Sequence, residues 1–320
     1  MRPDCIRPAP LAAPACFIAR TESMNLISRS FPLLCAVLLS ACGVMPSKPV
    51  AMKPVAPPPK VKIALALGGG AAKGFAHVGV IKVLEANGIS ADIVTGTSAG
   101  SVVGSLYAAG YTPAQLQQIA VRLDETDLAD FTLSTHGFIK GEKLQAFINA
   151  QVRNRPIEKL AKPFGAVATE LDTGERVVFR SGNTGQAVRA SASIPNVFLP
   201  VKIGRQRYVD GGLVSPVPVS AAREMGADLV IAVDISARPK AGSATGFLSM
   251  LDQSLNIMSS AALAHELKQA DVVIRPQVQD IGSAAFDARN RAIRAGEVAA
   301  LQALPQIRAK LLQKQQALAK

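Results

Sequence analysis

The chain reads as an α/β protein with a mostly parallel sheet covered by helices on both faces, and three features of the sequence predict it. Short apolar runs at 62–67, 93–94, 164–168, 229–234 and 272–274 have strand length but lack the alternation of a half-exposed strand, as strands buried on both faces do. Between them, apolar residues recur at helical spacing, Phe75, Val78, Ile81 and Leu84 being the clearest set. The two kinds of segment alternate along the chain instead of clustering by type, which is the order of a parallel sheet with helical crossovers. Composition agrees: of 320 residues 49% are hydrophobic and 18% charged, enough apolar material for a packed core. Aromatics make up only 4%, with no Trp, which suits close helix-on-sheet packing better than an aromatic binding surface.

Taken in order, the run Lys62–Leu67 ends in Gly68, Gly69 and Gly70, as a buried strand feeding a tight turn does. The helix that follows stops at Asn87-Gly88. Ile93-Val94 leads into Gly96-Thr97-Ser98-Ala99-Gly100, after which Val102, Val103 and Leu106 continue as a helix toward Gly110. Val177–Phe179, following the turn residues Asp172–Glu175, reads as a hairpin arm, and Arg207–Val209 as a short strand ending at Asp210. Residues 240–246, with Pro239, Gly242 and Gly246 in and around them, read as a surface loop. From Glu297 to Lys320 the spacing of Leu301, Leu304, Ile307, Leu311 and Leu312 predicts an amphipathic helix, with core packing and membrane contact as its two readings. No internal repeat appears, so one domain from residue 61 to 320 is expected, with core motifs in 61–235 and a C-terminal extension in 236–320.

The N-terminus has a separate character. All four cysteines, Cys5, Cys16, Cys35 and Cys42, fall within the first 42 residues, leaving the body without a thiol for disulfides or metal. From Met24 the chain resembles a signal peptide: Asn25 and Arg29, then the apolar run Phe31–Leu39, too short to span a membrane as a mature helix. Leu39-Ser40-Ala41-Cys42 resembles a bacterial lipobox, which implies lipidation of Cys42 and, with Gly43 next, an envelope protein anchored in the outer membrane facing the periplasm. Residues 1–42 are therefore expected to be a targeting segment. Residues 1–23 do not fit its basic start, which makes Met24 the expected initiator. Residues 43–60, with six prolines from Pro46 to Pro59, form an expected extended tether. The net charge of +12 comes from scattered basic residues without interleaved aromatics, so a nucleic-acid partner is not expected.

The chemistry centres on Ser98. Gly96-Thr-Ser-Ala-Gly100 matches a nucleophile elbow, where a serine sits on a strained strand-to-helix turn and small neighbours let the backbone close up; an ordinary small-residue turn is the competing reading. A serine nucleophile needs a base, yet none of the three histidines has a strong triad context. His77 precedes Ser98 within the first helix and reads as structural, His136 sits in a loop-like Ser-Thr-His-Gly segment, and His265 lies in a helical stretch. Asp210, at a strand end before Gly211 and Gly212, is the alternative base if it is partly desolvated, an Asp-Gly turn being the plainer reading. The loop Gly68–Gly74 is able to aim backbone N–H groups at an oxyanion or at a phosphate. Its Lys73 is not followed by Ser or Thr, against a Walker loop, and Ala71 breaks a dinucleotide fingerprint, although Asp92 lies near the spacing of a ribose-binding acid.

Four segments in this order, Gly68–Gly74, Gly96–Gly100, Ala190–Pro200 and Asp210–Gly212, resemble the patatin-like phospholipase family over about residues 61–235. The resemblance implies a three-layer α/β/α fold and a serine acyl hydrolase of phospholipase, lysophospholipase or esterase type, without metal or cofactor, acting on a lipid ester. Ser98 becomes the nucleophile, Asp210 the proton acceptor, and the amides near Gly69, Gly70 and Ala71 the oxyanion hole. Gly68, Lys73, Gly74, Gly96, Gly100, Gly211 and Gly212 become the supporting motif positions. Ala71 stands where many members have glycine, so the pair of amides forming the hole stays open. The segment Ala190–Pro200 is expected to buttress the site or shape the acyl groove. Transacylation by the same dyad and a non-catalytic lipid-binding or envelope-organising role are the competing functions.

Overall fold

A computed structural model describes residues 60–124, 130, 139–236 and 246–319, all within one compact unit spanning 56–320. The targeting segment, Cys42, the tether up to Pro59, His136 and residues 240–245 of the expected loop lie outside the described residues. Eight strands are described: β1 (Ile63–Leu67), β2 (Ile93–Thr97), β3 (Phe164–Glu170), β4 (Arg176–Phe179), β5 (Val201–Ile203), β6 (Gln206–Asp210), β7 (Leu229–Val233) and β8 (Val272–Ile274). They form one mixed sheet in the order β5-β6-β3-β2-β1-β7-β8, with β4 paired to β3. The centre, β3-β2-β1-β7-β8, is parallel, as the uninterrupted apolar runs require; the β4, β5 and β6 pairings are antiparallel.

Helices cover both faces. Alternate residues of β1 point opposite ways. Leu65 and Leu67 join the large core beneath α1 (Phe75–Ala86), α2 (Ala99–Ala108), α3 (Pro113–Arg122), α4 (Glu142–Gln151), α5 (Thr184–Ser191) and α8 (Arg289–Leu318). Ala64 and Ala66 join Ile93, Val230 and Ala232 beneath α6 (Val219–Glu224) and the C-terminal part of α7 (Phe247–Lys268). In β1 the large side chains thus serve one face and the small ones the other, and the helices on both faces make three layers. No helix among the described residues is long and apolar enough to cross a membrane.

The terminal helix begins at Arg289, well before the expected Glu297. Its early turns escaped the apolar pattern because they pack through small residues. A Cβ on Gly79 of α1 would lie 1.9 Å from the Ile293 carbonyl oxygen, and one on Gly296 would lie 2.0 Å from that of Ala76, so two glycines let the helix backbones touch. Ile293, Leu304 and Ile307 are buried against the core, while Leu301 and Leu312 remain exposed.

Candidate active site

The nucleophile candidate is set by its own neighbourhood. β2 ends at Thr97, α2 begins at Ala99, and Ser98 between them holds φ 52°, ψ −124°, a conformation in which a residue with a Cβ is strained by roughly 1–3 kcal/mol. The flanking glycines make the turn possible. A Cβ on Gly96 would approach the Gly100 carbonyl oxygen to 2.4 Å, and one on Gly100 would approach that of Leu67 in β1 to 2.1 Å. The Ser98 carbonyl accepts from Ser101 Oγ at 2.7 Å, and its N–H donates to Ser191 Oγ at 2.9 Å. Ser98 also stands at the N-terminus of α2, where the unpaired amides create positive potential.

Asp210 reaches the same place by strand pairing. β4 covers one edge of β3 from Ala166 to Thr169, so β2 and β6 must share the other edge. Along it Thr97 pairs with Val167, and Asp210 pairs with Ala168, the next residue. One strand step, about 3.3 Å, separates the two positions. β3 therefore acts as a ruler that sets Asp210 beside Ser98. Both are 7% exposed, and the Ser98 hydroxyl stands close enough to the Asp210 carboxylate to favour its charged form. Gly212 N–H donates to Asp210 Oδ1 at 2.7 Å, and Asp210 N–H donates to the Ser193 carbonyl at 2.9 Å. Burial pushes the carboxyl up from 3.8 to about 6, against the opposing pull of the nearby Ser98 hydroxyl and the Gly212 N–H. A carboxylate so placed is a much better base at neutral pH than an exposed aspartate.

The glycine loop runs alongside. A Cβ on Gly69 would lie 3.3 Å from the Ser98 Cβ, which puts this backbone against the candidate nucleophile. The sequence-derived trio needs correction at Gly69: its N–H donates to the Pro216 carbonyl at 2.9 Å and is not available to an oxyanion. The amides of Gly70 and Ala71 have no partner among the described residues. Ala71 takes a left-handed φ of 50°, at the position where glycine would be unstrained. Lys73 and Gly74 lie in the buried turn Ala71–Gly74 that enters α1, and Gly74 lets Ala99 approach, a Cβ there falling 2.6 Å from that of Ala99. Gly68 packs with comparable tightness on Val217 and the Val233 carbonyl. Gly211 leaves room for the Val167 carbonyl, 2.2 Å from where its Cβ would be.

Neither described histidine, His77 or His265, is a hydrogen-bond partner of Ser98 among the described residues. His77 is fully buried, and burial lowers it to about 4, a hydrogen bond to Gly68 opposing, so the ring is neutral near pH 7. Because the Gly68 carbonyl only accepts, Nε2 carries the proton and donates at 2.8 Å, and Nδ1 has no partner among the described residues. His77 and Pro216 thus hold the two ends of one peptide group, Gly68 C=O and Gly69 N–H. His265 lies on α7 and is exposed. Asp92 accepts from Ile63 N–H at 3.0 Å at the opposite, N-terminal end of β1 from the glycine loop, which removes the dinucleotide reading. Among the described residues no group of three His, Cys, Asp or Glu is arranged to hold a metal.

Three buried residues were not singled out from sequence. Ser191 bonds Ser98 and also donates to the Val167 carbonyl at 2.5 Å. Thr97 Oγ1 donates to the Ser215 carbonyl at 2.8 Å, and Thr169 Oγ1 to the Asp210 carbonyl at 2.9 Å. Ser191 and Thr97 lie in segments the sequence marked and Thr169 does not, and nothing local distinguishes any of the three from core hydroxyls. A cleft of about 410 Å³ beyond the end of β7, lined by Asp234, Ser236, Leu263, Lys268 and Arg275 among others, includes none of these site residues.

Residues 65–223 match the family model for patatin-like phospholipase. An uncharacterised NTE family protein of Mycobacterium tuberculosis is 36% identical over 182 residues, covering 55% of this chain and 49% of its own length. A second from the same organism is 31% identical over 274 residues, covering 76% of this chain and 46% of its own. The chain thus spans about half the length of these curated relatives. Among solved structures, VipD from Legionella pneumophila aligns over 77% of this chain and 67% of its own with a TM-score of 0.56 at 16% identity, a likeness of fold. With the four ordered motifs now at one end of one sheet, the matched region and these relatives agree: the chain belongs to the patatin-like phospholipase family.

Proposed function

We propose that the protein is a serine acyl hydrolase that cleaves lipid esters through Ser98 and Asp210. Family membership supports lipid hydrolysis in general, and one observation supports this pair: a buried Ser98 hydroxyl on a strained elbow, set by the β3 register beside a carboxylate raised to about 6. In the proposed reaction Asp210 takes the Ser98 proton as Oγ attacks the ester carbonyl. The Gly70 and Ala71 amides and the N-terminus of α2 meet the charge that develops on the carbonyl oxygen. Collapse expels the alcohol, which receives the proton from Asp210. Water then attacks the acyl-Ser98, giving its proton to Asp210, which returns it to Ser98 as the fatty acid leaves. The chemistry runs on protein groups alone.

The test is turnover of a p-nitrophenyl acyl ester series by the purified protein beside Ser98→Ala and Asp210→Asn, with a fluorophosphonate probe reporting the labelled residue. Loss of turnover in both variants, with labelling confined to Ser98, is expected. A folded protein that neither turns over nor labels would leave the non-catalytic lipid-binding reading standing. The Leu39–Cys42 pattern supports a further part of the proposal, a diacylglyceryl anchor on Cys42 that holds the enzyme at the outer membrane facing the periplasm, with residues 43–60 as tether and 61–320 as catalytic domain. Cys42→Ser is expected to abolish metabolic labelling with palmitate and to move the protein from the membrane to the soluble fraction.

A further inference from the structure

The residue that touches both the nucleophile's backbone and the ruler strand is Ser191, fully buried at the C-terminal end of α5. Its hydroxyl accepts from Ser98 N–H and donates to Val167 C=O, so its single proton and a lone pair are both committed. Val167 is the β3 residue paired with Thr97 and stands one place before the residue paired with Asp210. Two residues further on, the Ser193 carbonyl receives Asp210 N–H. One short segment therefore grips the backbone of both members of the dyad, and Ser191 does so through a side chain.

The grip has a physical purpose. Ser98 holds a strained φ and, coming just before the first turn of α2, has no helical carbonyl to receive its N–H. Without a partner that buried donor would be left unsatisfied, and the strained peptide would relax toward conformations that turn Oγ away from Asp210. Because the elbow is pinned to β3, which also sets Asp210, nucleophile and base share one frame of reference.

We propose that Ser191 is a positioning residue of the reaction, its hydroxyl locking the Ser98 elbow onto β3 so that Oγ stays on the Asp210 carboxylate. The proposal rests on the hydrolase reading above and assigns to one residue the buttressing that the sequence expected of the Ala190–Pro200 segment.

The experiment compares wild type with Ser191→Ala, Ser191→Thr and Ser191→Cys, using p-nitrophenyl butyrate kinetics, the rate of fluorophosphonate labelling and thermal melting. Misplaced nucleophiles lose about 10- to 100-fold in rate. Ser191→Ala is therefore expected to lower kcat and the labelling rate together by about that factor, with KM within about twofold and the protein folded at the assay temperature. Ser191→Thr, which keeps the hydroxyl, is expected to recover rate to within about threefold of wild type. If the alanine variant fails to fold, Ser191→Cys, close in volume but a poor hydrogen-bonding partner, takes its place with the same expected loss. Wild-type kcat and labelling in a folded alanine or cysteine variant would overturn the proposal. So would loss of fold in both, or a fall in rate that only follows the folded fraction, since either reduces Ser191 to core packing. Absence of Ser98 labelling in the wild type would instead overturn the hydrolase reading itself.

Discussion

The Ser98 elbow and the Asp210 turn are equally buried, yet they are built in opposite ways. The elbow is local: five consecutive residues, a strained φ, and two glycines that let β2, α2 and β1 close to contact. The turn is ordinary in itself, a strand end with Asp210 at φ −50°, and it becomes part of a site only because β6 pairs with β3 one residue beyond where β2 stops. The proposed nucleophile is thus defined by conformation, and the proposed base by register. Local strain can be written into a short motif, whereas register requires a whole sheet.

Chemistry gives the largest effects on that comparison. Ser98→Ala is expected to abolish esterase turnover, by about 10 000-fold or more, while leaving the fold intact. Asp210→Asn is expected to lose nearly as much activity but to raise stability. At pH 7 the wild type keeps a charged carboxylate whose folded value is about 6 against 3.8 unfolded, a penalty of about 3 kcal/mol. The sign follows from proton binding. The folded state binds the Asp210 proton more tightly, so this group's contribution is present below about pH 4 and is lost as pH rises through 6. The gap in melting temperature between Asp210→Asn and wild type should accordingly be wide at pH 7 and close by pH 4. A constant gap would mean that Asp210 is not held by burial.

Backbone closeness comes next. Gly100→Ala places a methyl 2.1 Å from the Leu67 carbonyl and is expected to destabilise by about 3 kcal/mol or more, measured by chemical denaturation. At Gly212 a Cβ would meet Asp210 Oδ1 at 3.0 Å, a side-chain atom and not backbone, so Gly212→Ala should damage activity more than stability. The pH profile follows: kcat/KM should fall tenfold per unit below about pH 6 as Asp210 takes up its proton. The smallest effect belongs to the register side. Thr169→Val removes the hydroxyl that tethers the Asp210 carbonyl at 2.9 Å, and should lower stability by about 1 kcal/mol with only a few-fold loss of turnover.

Local pattern was enough for a good part of this molecule. Continuous apolar runs marked the parallel strands, since a strand buried on both faces needs no alternation, and Gly96–Gly100 announced its strained turn. Elements whose evidence lies in their partners were not legible. β5 is three residues long, the first turns of α8 pack through glycine and alanine, and neither carries a pattern of its own. The Gly69 amide looked as available as its neighbours until the fold brought the Pro216 carbonyl to it across some 150 residues of chain. Ser191 and Thr169 read as any buried hydroxyl would. Conformation that a few adjacent residues enforce is visible in sequence because those residues must tolerate it. A hydrogen bond between distant segments leaves no such mark, and it was the meeting of β2, β6 and the Ala190–Pro200 segment on β3 that turned a serine and an aspartate into a pair.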